Sequence, residues 1–208
     1  MTLTAADLLR IGLTIGLLII AYGRLSNLLR FLFPSRVRHK YLVGAPEPEG
    51  PVAEELRRQG FKYLGGRLER VLGLHARVAA VYAHPSGRVV DLPFSGRLAG
   101  GYVLTLFEGD RCALTRVGAG RDVIADRYRS RAVGRGMNLR EVLEVHAESE
   151  AAISLGHAPV VVEDMSGRHR QARRWYQEHA RTELVLPAGA EGLLLGVLVA
   201  FGVYLWTL

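Results

Sequence analysis

The sequence predicts an α+β protein in which an antiparallel meander sheet of about five or six strands, with about two to three helices, is flanked by N- and C-terminal transmembrane helices. Three observations predict this fold. Both ends of the chain are long and apolar, residues 61–133 contain short β-prone runs separated by turn residues, and residues 138–155 have the apolar period of a helix. We therefore expect a water-soluble body held at a membrane by both ends of the chain.

The C-terminal segment, residues 188–208, is predicted to be a transmembrane helix. From Leu184 to Leu208 the only Asp, Glu, Lys, Arg or His is Glu191. A bilayer core of about 30 Å requires about 20 mostly apolar residues in a helix. Tyr204 and Trp206 also stand where an interfacial aromatic belt is expected. A buried core helix is the alternative interpretation.

The N-terminal segment, residues 1–33, is predicted to be an uncleaved transmembrane anchor. Its uninterrupted apolar part, Ile11 to Gly23, is only as long as that of a signal peptide, which is the alternative. A secretory signal carries its positive charge before the apolar run, whereas here the basic residues follow it and no Ala-x-Ala site appears. Asp7 and Arg10 are three residues apart and can pair on a helix, which reduces their cost near the interface.

Basic residues on the inner side of both segments predict the orientation. They are Arg24, Arg30, Arg36, Arg38 and Lys40 after the first segment, and Arg168, Arg170, Arg173, Arg174 and Arg181 before the second. Because cytoplasmic flanks of membrane spans are enriched in Lys and Arg, both segments predict a cytoplasmic central domain and outside termini. With a composition rich in Arg, Ala, Gly and Leu, we expect a bacterial inner (cytoplasmic) membrane.

Composition limits the remaining possibilities. The chain has 208 residues, a formal net charge of +7 and one cysteine. A single cysteine excludes an internal disulfide and a cysteine-based zinc cage, as expected in a reducing compartment. We divide the chain into the anchor, a basic and Pro-rich linker over residues 34–50, a cytoplasmic α+β domain over 51–187, and the C-terminal span.

The domain is predicted to begin with a short helix. Pro51 suits the first helical position, Glu54 and Glu55 complement the positive helix start, and Gly60 suits a left-handed terminator.

Strands are predicted next, joined by turns such as Pro85-Ser86-Gly87 and Glu108-Gly109-Asp110. They are Phe61 to Leu72, Ala76 to Ala83, Arg88 to Leu92, Tyr102 to Phe107, Arg111 to Val117, Arg127 to Val133, and a short one at Val160 to Val162. The pair around Glu108-Gly109-Asp110 is the clearest hairpin.

Two longer helices complete the domain. Asn138 and Glu141 have capping-box spacing ahead of an apolar stripe that runs to Leu155. Residues from Ser166 to about Leu184 read as a strongly basic helix that leads into the second span.

Four short motifs carry a resemblance to a known kind of protein. They are Gln59-Gly60-Phe61, His84-Pro85-Ser86-Gly87, Phe107-Glu108-Gly109-Asp110-Arg111 and Leu143-Glu144-Val145-His146. Their order resembles that in bacterial membrane-tethered proteins of unknown function with a small cytoplasmic α+β domain. The resemblance implies a meander sheet backed by helices and brings no activity or site.

The sequence contains no constellation that predicts catalysis, a metal or a cofactor. His146 and Glu150 are four residues apart on a helix that also carries Glu144, but glutamates on an amphipathic helix usually form a solvated face. Cys112 alternates within a strand and is expected to be a small buried hydrophobe. We therefore predict a binding protein rather than an enzyme, with no metal and no cofactor.

Basic side chains are the stronger functional signal. The predicted contacts with lipid headgroups or other anions are Arg168, Arg170, Arg173, Arg174, Trp175, Arg127, Arg129 and Arg131. The first five lie on the helix that enters the membrane, where each basic residue contributes on the order of 1 kcal/mol near an anionic surface. Alternation along a strand places the last three on one face of the sheet.

The sequence as a whole predicts a membrane-anchored, cytoplasm-facing binding protein or accessory subunit. Gly12 with Gly16, and Gly192 with Gly196, offer small-xxx-small faces for helix packing with other membrane subunits or a second copy. Membrane lipid is the other expected partner. The first alternative is a membrane-proximal enzyme acting on a lipid or headgroup, with His146, Glu144 and Cys112 as candidate residues. The second is nucleic-acid binding at the membrane face, which the sequence disfavours because topology already explains much of the charge.

Overall fold

The structure is a computed structural model that describes residues 4–42, 44–71, 74–118 and 120–207. Three predicted boundaries lie outside the described residues: positions 1–3 of the anchor, Leu72 at the end of a predicted strand, and Leu208 at the end of the C-terminal span.

The described residues form six α-helices and eight strands. The helices are α1 (Ala5–Arg24), α2 (Ser26–Leu32), α3 (Pro51–Arg58), α4 (Leu139–Ser154), α5 (Met165–Glu178) and α6 (Ala180–Thr207). The strands are β1 (Val37–Leu42), β2 (Lys62–Val71), β3 (Leu74–Ala83), β4 (Val89–Pro93), β5 (Tyr102–Phe107), β6 (Arg111–Val117), β7 (Val123–Ala125) and β8 (Tyr128–Val133). The predicted α+β class is confirmed.

The sheet is larger than predicted and is mixed rather than purely antiparallel. Its eight strands lie in the order β1-β2-β3-β4-β5-β6-β8-β7. Strands β2 to β6 match the predicted antiparallel meander in part, but the last strand of that prediction, β8, pairs parallel to β6, with Cys112 opposite Tyr128. The chain leaves β6, forms β7 at the outer edge and returns as β8 between the two, so β8 runs in the direction of β6.

Two segments differ from the predicted strand pattern. The segment predicted as a linker contains β1, which pairs antiparallel with β2 along its full length and forms one edge of the sheet. The short strand predicted at Val160 to Val162 is absent from the described residues. A single bridge between Phe107 and Pro159 takes its place.

The sheet has a different cover on each face. Helices α3 and α4 pack on one face, where Ala53, Leu56 and Val142 join side chains of the central strands in the largest apolar core. Helix α5 and the beginning of α6 cover the other face, where Trp175 contacts a second apolar cluster. Successive strand residues point to opposite faces, so the two covers meet different side chains of the same strands.

The local signals at helix ends are confirmed. Asn138 accepts a hydrogen bond from the backbone N–H of Glu141, whose carboxylate accepts one from the backbone N–H of Asn138. Gly60 follows α3 with φ of +85°, a left-handed conformation that glycine adopts without a steric penalty.

Helices α1 and α6 are long and apolar enough to cross a membrane, and most of their side chains are exposed in the isolated chain. The basic segment predicted as one helix is divided at His179, which follows α5 and stacks on Tyr128 with ring centroids 5.0 Å apart. Helix α6 then runs unbroken to Thr207.

Helix α6 forms hydrogen bonds with both N-terminal helices, α1 and α2. The carboxylate of Glu191 accepts hydrogen bonds from the backbone N–H groups of Asn27 and Leu28, at 2.9 and 2.8 Å, and so caps α2 from another part of the chain. Near the other end, Trp206 Nε1 donates to Thr14 Oγ1 at 3.1 Å. Helices α1 and α6 therefore lie side by side and antiparallel.

Candidate ligand-binding site

The face of the sheet beneath α5 carries charged side chains where an apolar core would be expected. Arg67 and Glu69 alternate along β2, Asp91 lies in β4 between valine and leucine residues, and Tyr102 begins β5. Period-two alternation directs all four toward α5. All but Tyr102 are buried, so this face contains a polar network under a helical cover.

Asp91 is the centre of this network. Its Oδ2 accepts hydrogen bonds from Arg67 Nη2 and from the hydroxyl of Tyr102, both at 2.6 Å. Arg168 of α5 donates two hydrogen bonds to the same carboxylate. Its Nε–H donates to Oδ1 at 3.2 Å, and its Nη2–H donates to Oδ2 at 3.1 Å. A carboxylate that is 1 % exposed is thus held between two guanidinium groups.

Glu69 connects the network to α5 and to α2. Its Oε2 accepts a hydrogen bond from Arg67 Nη1 at 3.1 Å, and its Oε1 accepts one from the hydroxyl of Tyr176 on α5 at 2.6 Å. Oε1 also forms an ion pair with Arg30 Nε on α2, at 3.1 Å. Three elements far apart in sequence therefore meet at one carboxylate.

The charges of this network are strongly coupled. Burial acts to raise the pKa of Asp91, but the guanidinium groups of Arg168 and Arg67 outweigh it and lower the pKa to about 2. Glu69 follows the same pattern: burial raises its pKa, whereas Arg67 and Arg30 lower it to about 2. Both carboxylates are therefore ionised near neutral pH.

A second polar cluster lies where α6 leaves the sheet. Glu183 of α6 forms an ion pair with Arg116 of β6. Its Oε2 accepts a hydrogen bond from the hydroxyl of Tyr128 at 2.6 Å, and the ring of Tyr128 stacks on His179. This cluster fixes the first turn of α6 to the strands β6 and β8.

A cavity of about 1010 Å³ lies between the two clusters, lined by the sheet, α5, α2 and the first turns of α6. Three acids line it: Glu69, Asp91 and Glu183. Four lining arginines pair with these acids: Arg30, Arg67, Arg116 and Arg168. Four more lining arginines are exposed: Arg77, Arg97, Arg121 and Arg135.

The four exposed arginines, which we call the arginine rim, come from β3 and from three separate loops. Among the described residues, none of them forms an ion pair or a side-chain hydrogen bond. The cavity therefore has an excess of positive charge, with eight arginines against three carboxylates. An anionic ligand would be attracted by this excess.

Several buried donors of the cavity lining have no hydrogen-bond partner among the described residues, and two of them, on Arg30 and Trp175, bear on a ligand. Arg30 is 1 % exposed, and its Nη1 has no hydrogen-bond acceptor. The indole Nε1 of Trp175 is likewise buried and unpaired. A buried donor without an acceptor costs about 1–3 kcal/mol, so both positions favour a bound group that supplies oxygen atoms.

The structure separates the predicted contact residues of α5 into two sets. Arg170 and Arg173 are exposed, whereas Arg174 is half-buried and donates Nε to Asp110 Oδ1 at 2.6 Å. Arg168 lies inside the protein on Asp91, and Trp175 lines the cavity. The predicted basic helix thus contributes to a surface through one set and to the cavity through the other.

The predicted arginines of the β8 region lie on the other side of the sheet. Arg131 donates Nη1 to Glu148 of α4 at 2.7 Å, and Arg129 shares its face. Arg127 is exposed just before the strand, beside Asp126. The sheet therefore separates the β8 arginines from α5.

The predicted packing glycines lie on open helix surface. A Cβ atom added at Gly12, Gly16, Gly192 or Gly196 would meet nothing within 4 Å outside its own helix. The contact between α1 and α6 in one chain does not use them.

The three residues considered for catalysis do not converge. His146 lies on the buried face of α4 between Thr105 and Thr115, whose hydroxyls are 3.0 and 3.1 Å from its ring nitrogens. Cys112 is buried on the opposite face, where burial raises the pKa of its thiol well above the usual value. Glu144 is exposed and pairs with Arg140.

The described residues contain no group of three or more His, Cys, Asp or Glu side chains arranged to hold a metal ion. His39 of β1 also belongs to the polar network, because its Nδ1 lies 3.1 Å from Arg67 Nη1. Burial and then Arg67 lower the pKa of His39 to about 3, so this imidazole is neutral.

The sequence interpretation did not select Arg30, Arg67, Glu69, Asp91 or Tyr102. A sequence signal was nevertheless present for three of these residues. Asp91 interrupts a strand of valine and leucine, and Arg67 and Glu69 alternate within β2, so each charge occupies a position that β-periodicity assigns to a buried face. Charges at such positions require partners, because an unpaired buried charge is very costly.

The fold and the site define an α+β protein with two candidate membrane-spanning helices, α1 and α6, and an arginine-rich cavity between the sheet, α2, α5 and the first turns of α6. No protein-family model, curated protein or solved structure matches the chain. The resemblance based on turn motifs therefore brings no function, and the cavity carries the functional argument.

Proposed function

We propose that this protein is anchored in a membrane by α1 and α6 and acts by binding an anionic ligand in the cavity beneath α5. The observation that carries this proposal is the charge of the lining, where the arginine rim has no carboxylate partners among the described residues. Such an excess in a concave, partly enclosed site raises the local concentration of anions.

The membrane anchorage is supported by the exposed surface of the two long helices. Large apolar side chains such as Leu18, Ile19 and Leu193 are more than half exposed, and this surface is stable only when an apolar phase covers it. The basic residues that flank both spans support an orientation with the domain in the cytoplasm and both termini outside, as in a bacterial inner membrane.

We further propose that other membrane subunits or a second copy pack on the spans. The open glycines of α1 and α6 leave room for a close helix contact within the bilayer. In this model the domain is the ligand-binding part of a membrane assembly.

Two measurements test the proposal. Reporter fusions at each terminus are expected to be active only outside the cytoplasm, and the protein is expected to stay in membranes after an alkaline carbonate wash. Cytosolic signal from either terminus would contradict the orientation, and release by the wash would contradict the anchorage.

Ligand binding is tested separately by the thermal stability of the detergent-solubilised full chain. A panel of phosphate, pyrophosphate, carboxylate and anionic lipid is compared with uncharged analogues. We expect at least one anion to raise the melting temperature in a saturable manner. The Arg121→Gln/Arg135→Gln variant should lose this increase, whereas the control Arg140→Gln, on the exposed side of α4, should retain it. Equal stabilisation of both variants by every anion would contradict a role for the cavity.

A further inference from the structure

We infer that the ligand is an amphiphile with a phosphate head and an apolar tail, whose head binds Arg30 and the arginine rim while its tail lies along α6 toward the bilayer. This inference rests on the proposed function and specifies its ligand. Four features of the cavity support it.

The lining is divided into a charged part and an apolar part. Leu104 and Leu114 of the sheet and Leu184 and Leu186 of α6 form the apolar part, and the network of Asp91 forms the charged part. A small inorganic anion has no apolar surface to bury against the apolar part of the lining. A ligand that fills both parts must combine a charged group with a hydrocarbon group.

The apolar part is continuous with the surface that faces the membrane. Leu186 and Pro187 line the cavity, and Leu186 is 57 % exposed. Asn27, which also lines the cavity, binds Glu191 of α6 through its backbone N–H at 2.9 Å. The cavity therefore extends to the level at which both candidate spans leave the domain, so a tail can remain in the bilayer while the head enters the protein.

The unpaired donors specify the chemistry of the head. A guanidinium and an indole N–H donate hydrogen bonds and accept none, so Arg30 Nη1 and Trp175 Nε1 both require an acceptor oxygen. A phosphate carries several acceptor oxygens and the negative charge that a guanidinium binds most strongly. A carboxylate offers two oxygens and a single charge, which matches the four arginines of the rim less well.

The size of the cavity agrees with a partly enclosed lipid. Its volume of about 1010 Å³ is at the upper end of small-molecule sites, which usually enclose roughly 300–1,000 Å³. This space accommodates a headgroup with the first part of its chains and leaves the remainder outside along α6.

Trp175 provides the measurement, because the chain contains only two tryptophans. In a Trp206→Phe background, Trp175 is the single reporter and lies in the cavity lining. The full chain in uncharged detergent is titrated with dihexanoyl phosphatidic acid, with glycerol 3-phosphate as the head without tails, and with octanoate as a tail with a carboxylate.

We expect a saturable change of Trp175 fluorescence with phosphatidic acid and at least about tenfold weaker responses to the other two ligands. The Arg121→Gln/Arg135→Gln variant should bind phosphatidic acid about tenfold or more weakly, and Arg140→Gln should bind it like the parent. The variants Arg30→Lys and Arg30→Gln are compared after circular dichroism has shown that both are folded to the same extent. The lysine variant is expected to bind phosphatidic acid more strongly than the glutamine variant.

Three results would overturn the inference. A response to glycerol 3-phosphate as strong as that to phosphatidic acid would show that the tail is unused, and an equal response to octanoate would show that phosphate is not required. The absence of any fluorescence response to phosphatidic acid would exclude an amphiphile with a phosphate head as the ligand. If the thermal panel still showed saturable binding of another anion through the rim, the proposed function would stand while this ligand assignment failed.

Discussion

Asp91 of β4 and Arg168 of α5, 77 residues apart in the chain, form a two-point ion pair in which Nε and Nη2 of the arginine each donate to one carboxylate oxygen. Both side chains are 1 % exposed. Arg67 shares the carboxylate, so the pair connects the helical cover to the sheet and forms one wall of the cavity. This buried ion pair therefore lies directly beside the candidate ligand site.

The first prediction concerns the loss of this carboxylate. Asp91→Asn removes the charge that compensates Arg67 and Arg168, and breaking a buried pair on one side costs about 3–5 kcal/mol. We expect a clear decrease in the thermal stability of the solubilised chain, followed by circular dichroism. The matched control is Asp126→Asn, whose carboxylate is 86 % exposed and should change stability by less than about 0.5 kcal/mol. Equal melting temperatures for the two variants would refute the central role of Asp91.

The second prediction is a loss of stability in acid through the carboxylates. The pKa of Glu69 is lowered from 4.5 to about 2 in the folded protein, so the unfolded chain binds the proton first as the pH falls. The stabilisation is complete above the unfolded pKa and is lost between about pH 5 and pH 2. Glu69→Gln should be less stable at pH 7 and lose less stability across this interval. A pH profile parallel to that of the parent would contradict this assignment.

The third prediction is a separate loss of folding stability, at higher pH, that is caused by His39. Its pKa is lowered from 6.5 to about 3, because burial and Arg67 disfavour the charged imidazole. The unfolded chain therefore takes up a proton below about pH 6.5 while the folded state does not, so stability decreases as the pH falls from 6.5 toward 3. His39→Gln should flatten the profile between pH 6.5 and 5, where Glu69→Gln has little effect. An unchanged slope in that interval would argue against a buried neutral His39.

The fourth prediction concerns the cap that Glu191 places on α2. Glu191→Ala removes the acceptor for the N–H groups of Asn27 and Leu28, a loss comparable to that of a helix N-cap, about 1 kcal/mol. Hydrogen exchange of these two amides should become faster, and Glu191→Gln should show a smaller increase because its carbonyl oxygen still accepts. Because α2 carries Arg30, the alanine variant should also weaken the Trp175 response to phosphatidic acid. Unaltered exchange at both amides would exclude the cap.

The fifth prediction separates the two faces of the sheet. Thr115→Val leaves one nitrogen of the fully buried His146 without its hydroxyl partner, which costs about 1–3 kcal/mol. Because this contact lies under α4, on the face away from the cavity, ligand binding measured at Trp175 should be unchanged in the variant that remains folded. A parallel loss of stability and of ligand response would indicate that the faces are coupled.

Elements set by neighbouring residues could be predicted from the sequence. The hairpin around Glu108-Gly109-Asp110, the capping box of Asn138 and the short helix from Pro51 depend on turn and cap chemistry within a few residues, and all three are present. Pairing between distant segments was missed, namely the addition of β1 to the sheet and the parallel contact of β8 with β6. No local pattern distinguishes a parallel neighbour from an antiparallel one when the intervening strand is short.

For the site, the sequence showed that α5 is basic but not which of its arginines lie inside. Arg168 and Arg173 are five residues apart on the same helix, yet one is buried on Asp91 and the other is exposed. The difference depends on how α5 is rotated against the sheet, which is fixed by contacts with β2, β4 and β5.

By itself the sequence determined the α+β class, the two apolar helices and the excess of positive charge, because chain length, hydropathy and charge are properties of the residues alone. Only the tertiary structure decided that eight arginines line one cavity and that Arg30 enters it with a free donor. The physical reason is that burial and charge pairing arise between residues separated by tens of positions, and folding alone brings those residues together.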